Sequence, residues 1–196
     1  VKRLIDIIVS IFALVLLFPL FLSVYTYLLF VDGRPVIIKQ NRVGLHGKPF
    51  NMYKYRTMKN DSHTERGSLE ELNTHSGPLF KIDDDPRLLK GAKKLRRWSL
   101  DELPQFINVL KGDMSVVGPR PLFVEDSENF NREYLRRLNV LPGITGLLQI
   151  NERNTDDFDV WFKYDLQYLE NWSIWLDLEI ILKTPFSLFK KDIQGK

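Results

Sequence analysis

From Ile7 to Phe30 the chain carries no charged residue, and Pro19 stands at the middle of that run. Such a run as one helix would be about 36 Å long, more than the ~30 Å of a bilayer's hydrocarbon core. A straight span is therefore the first reading. Two features oppose it. Pro19 lacks an N–H and bends a helix. Basic residues also flank both ends, with Lys2 and Arg3 before the run and Arg34, Lys39 and Arg42 after it. The positive-inside tendency keeps both ends on one face. A hairpin bent at Pro19, with arms of about 16–18 Å, enters one leaflet and returns. This re-entrant hairpin is the leading expectation; a straight span and a buried helix of a soluble domain stay open beside it. The carbonyl freed near Val15 needs a partner, which Ser10 or Ser23 is expected to supply, and Asp6 is expected to pair with Arg3 at the headgroups.

The chain has 196 residues, 44% of them apolar, enough for one compact domain with an appendage. The expected division is 1–33 as membrane anchor and 34–196 as the compact domain. The expected fold class is α/β, mostly helical with a small β-hairpin and amphipathic interfacial helices. Cysteine is absent, which excludes disulfides, iron–sulfur clusters and thiolate zinc sites. His46, His63 and His75 are isolated and suggest no metal pair. The net charge of +3 suits nucleic acid, anionic lipid or phosphorylated substrates without choosing among them; the long apolar segment makes nucleic acid the weakest of the three.

Val36–Arg42 and Phe50–Met58 read as strands joined through the turn residues Gly44-Leu-His-Gly47. Alternation puts Lys54 and Arg56 on one face, either solvated or an anion-binding pair. Residues 59–85 read as a helix fragment and a mobile loop. Asp83-Asp-Asp-Pro-Arg87 reads as turn residues, with cation binding by the three carboxylates open beside that, ahead of a basic helix carrying Lys90, Lys93, Lys94, Arg96 and Arg97, whose charges need only solvent and could also face anionic lipid.

The stretch Ser99-Leu-Asp-Glu-Leu-Pro-Gln105 has the capping-box pattern. Ser99 is expected as N-cap and Glu102 as its reciprocal partner, with Gly112 ending the helix. Capping leaves room for chemistry, because a helix N-terminus favours phosphate and keeps a nearby carboxylate ionised as a nucleophile. Gly118-Pro-Arg-Pro121 holds Arg120 between two prolines, either a turn with an exposed arginine or a rigid presentation suited to bidentate phosphate binding. Pro142-Gly-Ile-Thr-Gly146 reads as a loop that approaches a ligand through its backbone.

Together with Lys2-Arg-x-x-Asp6, Gln40-x-Arg-x-Gly44, Tyr53-Lys-Tyr-Arg-Thr-Met58 and Asn108-Val-Leu-Lys-Gly-Asp-Met-Ser115, these segments resemble the bacterial monotopic phosphoglycosyl transferases. They run in the family's order and span nearly the whole chain. The resemblance implies transfer of a phospho-sugar from a UDP-sugar to polyprenol phosphate (undecaprenyl phosphate) with release of UMP. It implies that Asp101 attacks the β-phosphorus to form an acyl-phosphate. It implies magnesium as cofactor, with Glu102 the best single ligand and Asp101 beside it. Lys54, Arg56, Arg87 and Arg120 are the residues expected to offset the diphosphate charge. The implied location is the bacterial inner membrane, among its lipids, with the catalytic domain on the cytoplasmic face; a homodimer is left open. One departure is Phe18, where that family typically has Ser before the helix-breaking proline. Some relatives carry further membrane helices ahead of this domain, so the chain reads as a minimal enzyme or a truncated one. Two other readings stay open: direct transfer with the carboxylates holding only metal, and a membrane-anchored scaffold for acidic partners.

At the C-terminal end Trp161, Trp172 and Trp175, with Tyr164 and Tyr168, precede Lys183, Lys190 and Lys191. One or two amphipathic helices are expected there, divided between core and membrane interface.

Overall fold

The computed structural model describes residues 1–59, 85–127, 130–155 and 157–189. The expectations on residues 60–84, which include Asp83, Asp84, His63 and His75, and on Lys190 and Lys191 lie outside them.

The apolar run forms two helices, α1 (Lys2–Leu16) and α2 (Phe18–Asp32), bent by 62°. The break falls at Leu17, so that Pro19 lies in the first turn of α2, where a missing N–H breaks no intrahelical bond. Among the described residues no single helix is long and apolar enough to cross a membrane. The expected rescue of the bend by Ser10 or Ser23 does not occur. Ser23 Oγ donates to the carbonyl of Pro19, one turn back on its own helix, and the buried Ser10 Oγ has no partner among the described residues.

Asp6 and Arg3 do not pair. Asp6 is buried and accepts hydrogen bonds from Ser115 Oγ and Val116 N, both at 2.9 Å. Arg3 reaches the carbonyls of Val109 and Leu110. Both residues serve the interior because α1 packs on α4 (Gln105–Lys111) and β3 (Ser115–Val117). There a strand N–H and the last carbonyls of a helix need partners.

The hairpin forms close to its expected limits, as β1 (Ile37–Val43) and β2 (Pro49–Tyr55), antiparallel with Ile38 opposite Lys54. The side chain of Asn108 on α4 docks on β2 like a further strand. It accepts from Tyr53 N at 2.8 Å and donates to Asn51 O at 2.8 Å. This fixes α4, and the turn before it, against the strand that carries Lys54.

A second, parallel pair joins β3 to β4 (Gly143–Thr145). Its glycines are required by the chain's own packing. A Cβ at Gly143 would strike the backbone of Gly118, and one at Gly146 would come within 2.5 Å of Gly118 O.

The remaining helices are α3 (Ala92–Arg97), α5 (Val124–Ser127), α6 (Leu147–Asn151), α7 (Phe158–Asn171) and α8 (Ile174–Ser187). The aromatic C-terminal stretch thus becomes two helices with different roles. On α7, Trp161, Phe162 and Tyr168 are buried. On α8, Ile180 is fully buried, while Trp175, Leu182 and Phe186 stand 80%, 69% and 72% exposed. The main core gathers Met52, Val109, Met114, Val117, Tyr168 and Ile180. A second cluster under α2 unites Val24, Leu28, Val36, Tyr55, Leu95 and Leu103, so the N-terminal helices share a core with the rest of the chain. A corner network ties α1 to α8: Lys2 Nζ lies 2.7 Å from Asp177 Oδ2, and Tyr168 OH donates to Asp177 Oδ1 at 2.7 Å.

Candidate active site

The segment from Trp98 to Pro104 places the dyad. After α3, Ser99 takes a left-handed conformation, φ +56°, at a cost of about 1–2 kcal/mol for a non-glycine residue. The reversal starts a single 3-10 turn over Leu100–Glu102. It directs Asp101 and Glu102 inward, each 5% exposed or less. The capping box does not form. Ser99 Oγ accepts instead from Arg153, and the Glu102 carboxylate turns to two cations, which are stronger partners than a neutral N–H.

The expected site residues separate into two groups. Lys54, Asp101, Glu102 and Arg120 converge. Lys54 Nζ lies 2.8 Å from Asp101 Oδ2 and 3.7 Å from Glu102 Oε1. Arg120 Nη2 donates to Glu102 Oε1 at 2.7 Å. The other Asp101 oxygen, Oδ1, is buried and accepts no hydrogen bond from the described residues. Arg56 contacts the end of α2 instead, 2.8 Å from Asp32 Oδ2 and donating to the carbonyls of Asp32 and Gly33. Arg87 grips Asp85 through two hydrogen bonds of 2.8 and 2.6 Å.

Two residues outside the expected set join the dyad's field. Arg96, assigned from sequence to a solvated basic face, turns inward; its Nε donates to Thr57 Oγ1 at 3.0 Å, and it feels both Asp101 and Glu102. Arg153 comes from the loop after α6 and acts on the same two carboxylates. The only local signal for Arg96 was its place five residues before Asp101. Nothing in Asn151-Glu-Arg-Asn154 marks Arg153, which arrives by tertiary folding. Arg42 lies behind Arg120, its guanidinium 3.4 Å from the ring centre of Phe123.

Charge sets the protonation states. Burial works against ionisation of Glu102, but Arg120, Lys54 and Arg153 outweigh it and hold the carboxyl far below its usual range. Burial lowers the Lys54 ammonium, and its two carboxylate partners restore only part of the shift. Glu102 raises Arg120. Burial, then the charge of Arg120, brings Arg42 down to about 9. Four cations, Lys54, Arg96, Arg120 and Arg153, thus face two carboxylates. That excess has room for a polyanion of phosphate type.

Among the described residues no three His, Asp or Glu side chains converge as a metal cage. Magnesium needs none. It takes one or two carboxylates and draws its other oxygens from phosphate and water, and the adjacent carboxylates of Glu102 and Asp101 fit that mode.

The chain is similar to known proteins along most of its length. The model of the family described as bacterial sugar transferase matches residues 1–191. The chain is 51% identical over 154 residues to the galactosyl transferase CpsE of Streptococcus agalactiae serotype III, covering 78% of this chain and 34% of that protein. It is 42% identical over 183 residues to the uncharacterized sugar transferase EpsL of Bacillus subtilis, covering 93% and 84%. It is 43% identical over 196 residues to the UDP-glucose:undecaprenyl-phosphate glucose-1-phosphate transferase of Klebsiella pneumoniae, covering 96% and 40%. The chain spans well under half of the first and third of these relatives. With a match along nearly its whole length, the chain belongs to the bacterial sugar transferase family.

Proposed function

We propose that this chain transfers a phospho-sugar from a UDP-sugar to a polyprenol phosphate through a covalent intermediate on Asp101. The observation that carries the reading is a buried carboxylate with one oxygen tethered to Lys54 and the other, Oδ1, unpartnered, inside an excess of positive charge. Lys54 fixes the orientation of the carboxylate, so little reorganisation is needed before attack. Oδ1 attacks the β-phosphorus of the donor. The bond from that phosphorus to the bridging oxygen breaks, and UMP leaves with the electron pair. A phosphate oxygen of the acceptor then attacks the same phosphorus and releases the Asp101 carboxylate. Arg120, Arg96 and Arg153 offset the diphosphate charge, and Glu102 holds Arg120 in place. Magnesium, held by Glu102 and Asp101, would neutralise further diphosphate charge. A relative's name gives the same pair of substrates, a UDP-sugar and undecaprenyl phosphate.

The acceptor is a lipid, so the site must work at a membrane surface. The bend between α1 and α2 supports a re-entrant anchor over residues 1–33, and 34–196 would then be the catalytic part. Ile8, Phe12, Leu16 and Phe18 on one side, and Trp175 and Phe186 on α8, are exposed apolar groups that lipid would cover. A bacterial inner membrane with the dyad at its cytoplasmic headgroups suits both substrates.

The test is purified protein in nanodiscs with undecaprenyl phosphate, magnesium and a panel of UDP-sugars, scored by UMP release. Donor alone should add one phospho-sugar mass to the peptide bearing Asp101, and Asp101→Asn should show neither mass nor turnover. Turnover by Asp101→Asn at the wild-type rate would refute the covalent route.

A further inference from the structure

The loop that carries Arg120 has an unusual support. Prolines at 119 and 121 have no N–H, so the loop cannot close on its own hydrogen bonds. Its carbonyls are held from outside. Val117 O accepts from Lys2 Nζ at 3.0 Å. Gly143 N donates to Pro119 O at 2.8 Å, and Val43 N to Leu122 O at 3.0 Å. Arg42 Nη1 donates to Pro121 O at 3.2 Å.

The carbonyl of Arg120 itself accepts from Arg137 Nη2 at 2.7 Å. Arg137 is 4% exposed and lies in the 3-10 segment Tyr134–Asn139. Its Nε donates to Asp165 Oδ2 at 2.8 Å, and its Nη2 lies 2.8 Å from the same oxygen. Asp165 is buried on α7. One planar guanidinium therefore spans a fixed carboxylate and the peptide of the residue that holds Glu102.

We propose that Arg137 and Asp165 form a positioning pair that sets the peptide of Arg120 and so aims its guanidinium at Glu102. The pair is not needed to neutralise the dyad, since neither residue contacts it. Each belongs to an element remote in sequence from Arg120, and the Nε and Nη2 edge of the Arg137 fork is occupied by Asp165 and the Arg120 carbonyl. A buried ion pair serving only to join α7 to the 3-10 segment would have no reason to spend an N–H on that carbonyl. The inference rests on the proposed transferase reading for its kinetic arm alone.

The test is Arg137→Met/Asp165→Leu, which removes both charges and leaves neither buried alone. In hydrogen exchange on the folded variant, the amides of Val43 and Gly143, which bond to this loop, should exchange at least about tenfold faster than in wild type. In UMP release, kcat/KM should fall about tenfold in the wild-type background but less than about twofold on Arg120→Ala, because residues that act through one another are not additive. A folded variant with unchanged protection, or equal kinetic loss on both backgrounds, overturns the proposal. If the double variant does not fold, Arg137→Lys, which keeps the charge but not the fork, is measured the same way. Absence of UMP release from wild type would reject the transferase reading, and the exchange arm would then decide the pair by itself.

Discussion

Asp6 offers the sharpest energetic test of how α1 is joined to the rest of the chain. Its carboxylate is 3% exposed, and its Oδ1 accepts from Ser115 Oγ and Val116 N, both at 2.9 Å. Asp6→Ala removes the acceptor and strands a strand N–H, with a hydroxyl beside it, in a dry site. A buried donor left unpaired costs about 1–3 kcal/mol, and the hydroxyl recovers part of its loss by rotating, so about 3 kcal/mol is expected for the pair. For a domain of this size that is about 6–12 °C in Tm. Asp6→Asn keeps a carbonyl oxygen at the same place and should lose less than half as much. The assay is tryptophan fluorescence during heating, at one detergent concentration for all variants. Asp6→Ala melting within about 2 °C of wild type, or Asp6→Asn melting as low as Asp6→Ala, would refute the assignment of Asp6 as the bolt between α1 and β3.

Glu102, whose folded-state carboxyl lies below its ordinary value of 4.5, contributes stability that is fully present above that value and lost as pH falls toward the folded one. Wild type should therefore exceed Glu102→Gln in stability by a constant margin between about pH 5 and 7, and the margin should shrink below 4.5; denaturant melts across pH check it. Gly143→Ala would put a Cβ into the Gly118 backbone and within 2.6 Å of Thr145 O. It should cost about 1–3 kcal/mol of stability by denaturant melt, with activity falling further still because Arg120 follows Gly118. Trp175→Lys with Phe186→Lys, at two exposed apolar positions on α8, should leave Tm nearly unchanged and weaken binding to lipid vesicles in a flotation assay; unchanged flotation would remove α8 from the membrane face.

What the sequence made legible was local. Gly44 to Gly47 between two alternating runs defines a hairpin, and the observed strands differ from the expected limits only at their ends. Pro19 announces a break, although the break falls two residues earlier, where the proline costs least. Asp101, Glu102, Lys54 and Arg120 carry enough motif to be named together. Nonlocal pairing was hidden. Asp6 and Arg3 are neighbours in sequence, but burial of one face of α1 sends them to β3 and α4. Ser-x-x-Glu looks like a cap until a lysine and an arginine from elsewhere bid for the glutamate. Arg153 and Arg137 sit in stretches whose composition is that of any polar loop, and only the tertiary fold gives them an address.

The paired prolines around Arg120 have a consequence for how the site can change. A loop rich in glycine recognises phosphate by a row of main-chain amides, which side-chain substitution hardly alters. Here alternate residues own no amide hydrogen, so no such row exists, and on the proposed reading anion affinity at this loop would reside in one removable guanidinium. A single codon change could retune it while the scaffold stood still.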